Sequence, residues 1–294
     1  MVMRIILILS LAGVLALVGC GQARSAAAPL PVVAGENVYG NIAQQIGGPL
    51  VSVTSVLSDP NADPHLFEPG TRNGLAVSRA RLAIQNGLGY DAFMEKLEEA
   101  APSSHRLVVT IADALGIHGT DANPHLWYDV PKLGRVAAAI TTGLVKADPP
   151  HAAAYRAGRD RFVKSLQPLR RVVAQIDKRF KGAAVAYTEP VPGYLIDAAG
   201  LKNRAPQDFT HAVEAGTEPT PQAVAAMDAL VTGRKIKVLL YNSQTVTPIT
   251  ERVRTAAVHA GIPVVGVTET LPPNLTFQQW QLAQTRALFR ALSK

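Results

Sequence analysis

Residues 151–181 read HAAAYRAGRDRFVKSLQPLRRVVAQIDKRFK, and the division of the chain follows from them. Tyr155, Phe162, Leu166, Leu169, Val173, Ile176 and Phe180 recur seven, four, three, four, three and four positions apart, an apolar stripe along one helix face. A helix of this length runs roughly 45 Å at 1.5 Å per residue, enough to brace two lobes. Pro168 sits inside the pattern; its ring removes one backbone hydrogen bond and predicts a kink. Asp148-Pro149-Pro150 closes the segment before it.

On both sides short apolar runs alternate with helical periods. Upstream, strands are predicted at Pro31 to Ala34, Val51 to Leu57, Ala83-Ile84 and Leu107 to Ile111. Helices are predicted with Val38, Ile42 and Ile46 on one face, around Asp91 to Ala101, and over Lys132 to Lys146. Downstream, Ala183 to Thr188, Lys237 to Tyr241 and Pro263 to Val267 read as strands. Helices around Gln222 to Thr232, Thr250 to Ala260 and Phe277 to Leu292 lie between and after them. Such alternation predicts an α/β protein of two lobes, each a mostly parallel sheet flanked by helices, joined by one long helix. The expected boundaries are 31–149 for the first lobe, 150–182 for the connecting helix and 183–294 for the second lobe.

The start of the chain has a different character. Arg4 precedes an apolar run from Ile5 to Val18 that ends at Gly19-Cys20, a secretory signal over 1–20 rather than a bilayer span. Gln22 to Pro29 reads as a tether within 21–30. Leu17-Val18-Gly19-Cys20 resembles the bacterial lipobox, which implies lipidation at Cys20. Cys20 is also the only cysteine, so the exported domain has no disulfide and no thiolate for a metal. With 48% hydrophobic and 17% charged residues, the remainder is a well-packed globular chain. The formal charge of +7 belongs to the whole chain and loses only Arg4 with the signal; its carriers are scattered, densest at Arg170-Arg171 and Lys178-Arg179-Lys181. That cluster could meet anionic lipid or nucleic acid, but we read it as a solvated helix face, and without an aromatic-plus-basic motif nucleic acid is not an expected partner.

Two near-copies of one phrase point to chemistry: Asp63-Pro64-His65-Leu66-Phe67 and Asn123-Pro124-His125-Leu126-Trp127. Proline fixes its own φ and drives the preceding residue to extended backbone, so each imidazole stands on a stiff loop. The flanking apolar side chains are expected to pack inward and hold those loops down. Ligands in parallel sheets bind beyond the carboxyl ends of strands, and two strands here are followed by acids. Glu189 opens the stiff loop Glu189-Pro190-Val191-Pro192-Gly193, and Glu269 lies two residues after Val267, before Pro272-Pro273. His65, His125, Glu189 and Glu269 together make two imidazoles and two carboxylates, two from each lobe. Two carboxylates neutralise a divalent cation, and nitrogen and oxygen donors without sulfur suit Zn²⁺ or Mn²⁺.

These residues resemble the metal-binding lipoproteins of bacterial zinc and manganese ABC importers, the cluster 9 or helical-backbone solute-binding proteins. The likeness covers nearly all of the mature chain. Ala62-Asp63-Pro64-His65 through Glu68-Pro69 matches the family's first ligand motif, and Asn123 through Trp127 its second. Glu189 through Leu195 falls where the family places a third ligand, histidine in many zinc members and glutamate in many manganese members. Glu269 stands where the family usually has aspartate. The resemblance implies a non-enzymatic receptor, lipid-anchored at the outer face of the cytoplasmic membrane. It would capture Zn²⁺ or Mn²⁺ between its lobes, deliver it to an ABC permease and work as a monomer. Zinc importers often carry a histidine- and acid-rich loop between the first two ligands; only His105 and His118 lie in that interval, which with Glu189 tilts the expectation toward manganese.

Two other readings compete. A secreted zinc hydrolase would keep three of the ligands and use Glu189 or Glu269 as general base, although no His-Glu-x-x-His helix or nucleophile elbow is present. An adhesin would use the metal as structural glue. His105, His118, His151, His211 and His259 lack a proline-stiffened setting and read as surface or helix residues. Asn242-Ser243-Gln244-Thr245 could equally support a ligand carboxylate or cap a helix.

Overall fold

The computed structural model describes residues 28–60 and 64–294, with His65 described by its backbone alone. The expected signal, Cys20 and most of the tether lie outside the described residues, as does Asp63. No helix among the described residues is long and apolar enough to cross a membrane.

The first lobe runs β1 (Leu30–Glu36), α1 (Asn37–Gly47), β2 (Val51–Leu57), α2 (Thr71–Arg79), β3 (Leu82–Gln85), α3 (Ala92–Ala100), β4 (Leu107–Thr110), α4 (Ile111–Leu115) and α5 (Leu133–Ala147). Its four strands are all parallel, in the order β2-β1-β3-β4. After the connecting segment come β5 (Ala184–Tyr187), α8 (Gly193–Ala198), β6 (Lys202–Asn203), α9 (Gln207–Glu214), α10 (Pro221–Thr232), β7 (Val238–Asn242), α11 (Pro248–His259), β8 (Val264–Val267) and α12 (Phe277–Leu292). This second sheet is likewise parallel, ordered β6-β5-β7-β8. In each sheet the chain reverses its direction of winding beside the first strand, between β1 and β3 and between β5 and β7. Open parallel sheets place their ligand sites at such switch points.

The connecting segment is two helices, α6 (Ala152–Ser165) and α7 (Gln167–Phe180), meeting at Leu166. The kink therefore falls two residues before Pro168. Leu166 stays in the right-handed helical region, but its N–H bonds Val163 O at 3.3 Å, a tighter i→i−3 turn. Pro168 sits in the first turn of α7, where its missing N–H costs nothing. His151 Nδ1 and the Tyr155 hydroxyl converge on Asp148 Oδ2, at 2.6 and 2.5 Å, fastening the entry to α6.

Six of the seven residues of the stripe read from 151–181 are buried as expected, Tyr155, Phe162, Leu166, Leu169, Val173 and Ile176 each at most 6% exposed, while Phe180 at its end is half-buried. They join one apolar core that includes Val32 and Leu82 of the first sheet and Val238 and Val265 of the second. A core continuous across both lobes resists a wide hinge motion, because opening it would expose apolar surface. Close packing here depends on Gly158, where a Cβ would sit 2.0 Å from the Ile46 carbonyl oxygen at the end of α1.

Several elements carried no readable period. β6 is two exposed residues, and α2 buries only Val77. α8 and α9 are also additions to the sequence reading, and α9 matters for the site.

Candidate metal centre

Strand register positions the acidic groups. Tyr187 pairs with Leu240 and Asn242 with Val267, so residues just past the three strands share one edge of the second sheet. Glu189 and Glu269 project there, each 1% exposed. Across the lobe boundary His125 is fully buried, and one ligand atom from each of His125, Glu189 and Glu269 lies within 4.8 Å of the other two. His125 Nε2 is 3.1 Å from Glu269 Oε2. The structure thus brings three of the four expected ligands together. The fourth, His65, lies in a short 3-10 turn over Pro64–Leu66, and its side chain is outside the description.

Each donor is oriented by a neighbour. Asn123 Nδ2 donates to Pro190 O (2.8 Å), which identifies the amide's other atom as oxygen. That Oδ1 accepts from the His125 backbone N–H (3.0 Å) and lies 2.7 Å from Nδ1 of the ring. Nδ1 therefore carries a proton, and Nε2 faces the carboxylates. The Glu214 carboxylate of α9 stands 3.8 Å behind the same Nδ1. Trp127 and Tyr90 close around the ring, with centroids 5.4 and 5.7 Å from it.

Asn242 Nδ2 donates to both carboxylates, to Glu189 Oε2 at 2.6 Å and to Glu269 Oε1 at 2.8 Å. Gln244 holds the loop behind them. Its Oε1 accepts the Thr270 N–H (3.1 Å), and its Nε2 donates to Thr270 Oγ1 (2.7 Å) and to Pro60 O (3.0 Å) on the segment leading to His65. Of the two roles left open for residues 242–245, support of the carboxylates is the one observed. The cap of α11 is Thr247, paired with Thr250 in a reciprocal capping box.

The lobes are stitched together at the site. Tyr90 of the first lobe donates its hydroxyl to Glu269 Oε2 (2.8 Å), Tyr194 of the second donates to Asn123 O (2.8 Å), and Tyr128 reaches Thr268 O (2.7 Å). The Asn37 amide makes two 2.8 Å bonds with the backbone of Leu271. Tyr90 carried no cue in the sequence. It follows Gly87, Leu88 and Gly89, all with positive φ, a tight turn that only the folded chain reveals. Asn123 was visible as part of its motif, yet its link to Pro190 was not.

The two histidine motifs behave differently. Leu126 and Trp127 are fully buried, as expected. Leu66 is 76% exposed, which corrects the expectation that it packs inward; of the two apolar residues after His65, Phe67 is the one that packs, edge-on to Phe93 at 5.1 Å. Beside the site a cavity of about 540 Å³ opens between the lobes, lined by residues of both loops and by His211 and Glu214 of α9. His211, read as an ordinary helix residue, is exposed at this mouth.

Comparison with known proteins agrees with this architecture. A putative metal-binding protein of Treponema pallidum is 23% identical over 289 residues, spanning 90% of this chain and 88% of the relative. The manganese-binding lipoprotein MntA of Bacillus subtilis is 25% identical over 242 residues, 78% of this chain and 76% of the relative. The solved periplasmic zinc binding protein TroA from Treponema pallidum superposes with a TM-score of 0.77 at 19% identity, covering 90% of this chain and 99% of that structure. The model of the family described as zinc-uptake complex component A, periplasmic, matches residues 32–291, and the chain belongs to that family.

Proposed function

We propose that this chain is an exported receptor that captures Zn²⁺ or Mn²⁺ at the lobe boundary and hands it to the permease of an ABC importer. His125, Glu189 and Glu269, with His65 from the Pro64–Leu66 turn, are the ligands in this reading. Its main support is the convergence of three buried donors from two lobes within 4.8 Å of one another. Two buried carboxylates a few ångströms apart repel, and a divalent cation between them removes that cost. Neutral imidazoles add no charge, so the loaded site is formally neutral. Glu189 and Glu269 favour a hard cation such as Mn²⁺, while Zn²⁺ binds the same donors more tightly by intrinsic affinity.

Anchoring through a lipidated Cys20 would keep the receptor beside its permease. The continuous core makes local movement of the two histidine loops, rather than lobe rotation, the route of capture. A hydrolase would need one carboxylate free as general base and a ligand position left for water. Here Asn242 fixes both carboxylates and Tyr90 holds one of them, which favours a closed capture site.

The test is elemental analysis of protein purified from its own host, with competition titration of His65→Ala, His125→Ala and Glu269→Ala. Both histidine variants are expected to lose tight binding while folded, and Glu269→Ala to bind more weakly. Wild-type affinity in Glu269→Ala would remove it from the ligand set.

A further inference from the structure

The charged residues lining the groove between α7 and α12 are all cations. Arg171 of α7 and Arg286 and Arg290 of α12 line a cavity of about 370 Å³ whose floor is Pro168, Val172 and Phe289. No carboxylate lines it. All three guanidinium groups are exposed, and none takes part in an ion pair among the described residues. α7 carries Arg170, Arg171, Lys178 and Arg179 against the single acid Asp177, and α12 carries no acid at all. Asp177 is turned toward Lys181, 3.9 Å away. Arg179 continues the strip, its guanidinium 5.2 Å from the Phe289 ring. Clustered like charges without partners raise the free energy of the protein, and a bound anion lowers it.

We propose that this groove docks on the anionic phospholipid headgroups of the membrane. Shape favours lipid over a free phosphate ion, because the strip runs along two helices and its floor is apolar. An open strip of this kind meets several headgroups at once, while the floor accepts the upper carbons of a lipid. No residue lining the groove lines the interlobe cavity, so lipid and metal can be held together. The proposal deepens the reading of a membrane-held receptor and stands independently of metal binding.

Vesicle co-sedimentation of the full chain tests it, with phosphatidylcholine alone and with phosphatidylcholine mixed with phosphatidylglycerol. Arg4 and the apolar run at 5–18 are the same in every variant, so a change in the ratio between the two vesicles reports the substituted cations. Wild type is expected to prefer the mixed vesicles, with a preference that fades as salt rises. The triple variant Arg171→Gln, Arg286→Gln, Arg290→Gln should lose on the order of 100-fold of that preference. A matched variant, Lys202→Gln, Arg204→Gln, Lys235→Gln, carries the same net charge and should lose little. Arg290→Gln alone should lose several-fold, and metal titration should be the same in every variant. Equal losses in the two triple variants would overturn the proposal, since net charge alone would then act. Equal binding to both vesicles by wild type would also overturn it. So would inorganic phosphate held by the same arginines without any vesicle preference.

Discussion

Asn242→Ala is the sharpest probe of the site, because one side chain orients both acids without being a ligand in the proposed set. Its Nδ2 lies 2.6 Å from Glu189 Oε2 and 2.8 Å from Glu269 Oε1, and the residue is 1% exposed. Hydrogen bonds to charged acceptors contribute roughly 1.5–3 kcal/mol each, so removing two from a buried pair should destabilise the metal-free protein by about 3 kcal/mol or more. Supporting residues behind a metal ligand typically account for 10- to 100-fold in affinity. We expect Asn242→Ala to bind metal about 10- to 100-fold more weakly by competition titration. Its metal-free melting temperature should fall, and saturating metal should recover part of the loss, because the cation takes over the balancing of the two acids. Affinity within about threefold of wild type, with a lowered melting point, would refute the orienting role and leave Asn242 as a packing residue.

Gly193→Ala would place a Cβ 2.7 Å from Asn123 Nδ2, pushing apart the contact that links the histidine loop to Pro190. Calorimetry should show about 1–3 kcal/mol of lost stability, with metal affinity falling alongside it; unchanged affinity would detach the Asn123–Pro190 bond from the function of the site. Burial, and then the neighbouring Asp91 carboxylate, hold Glu36 well above the usual carboxylate range. Folded Glu36 thus keeps its proton where the unfolded chain has lost it, so stability falls as pH rises above the unfolded value of 4.5 and levels off past the folded one. Glu36→Gln should lack this component, the difference from wild type growing with pH by at most about 1.4 kcal/mol per unit in denaturant titrations; parallel curves would count against it. Gly158→Ala should unfold the protein or strongly lower its melting temperature, since the added methyl meets the Ile46 backbone rather than a flexible side chain.

The stripe from Tyr155 to Phe180, every parallel strand but β6, and the two Pro-His loops were legible in the chain. Each is a local pattern, in which periodicity reports burial and proline reports a stiff backbone. Glu189 and Glu269 were legible for a related reason: they follow apolar runs, and strand ends are where parallel sheets present their ligands. The resemblance to metal receptors rested on the same short motifs.

Other features existed only once distant segments met. Tyr90 reaches Glu269 across 179 positions, and Asn242 joins acids from loops 53 and 27 positions away. No spacing rule connects such pairs, because their neighbourhood is set by strand order and by the packing of α1, α5 and α12 against the connecting helices. The exposure of Leu66 is of the same kind, as its twin Leu126 is fully buried. The basic groove is a third case: Arg171 and Arg290 lie far apart in the chain and share one cavity because α7 packs on α12. Sequence alone determined which residues could bind a cation and which backbone would carry them. Tertiary structure decided which of them stand together and which polar groups hold them, since hydrogen bonds depend on separations in space that a linear pattern does not encode.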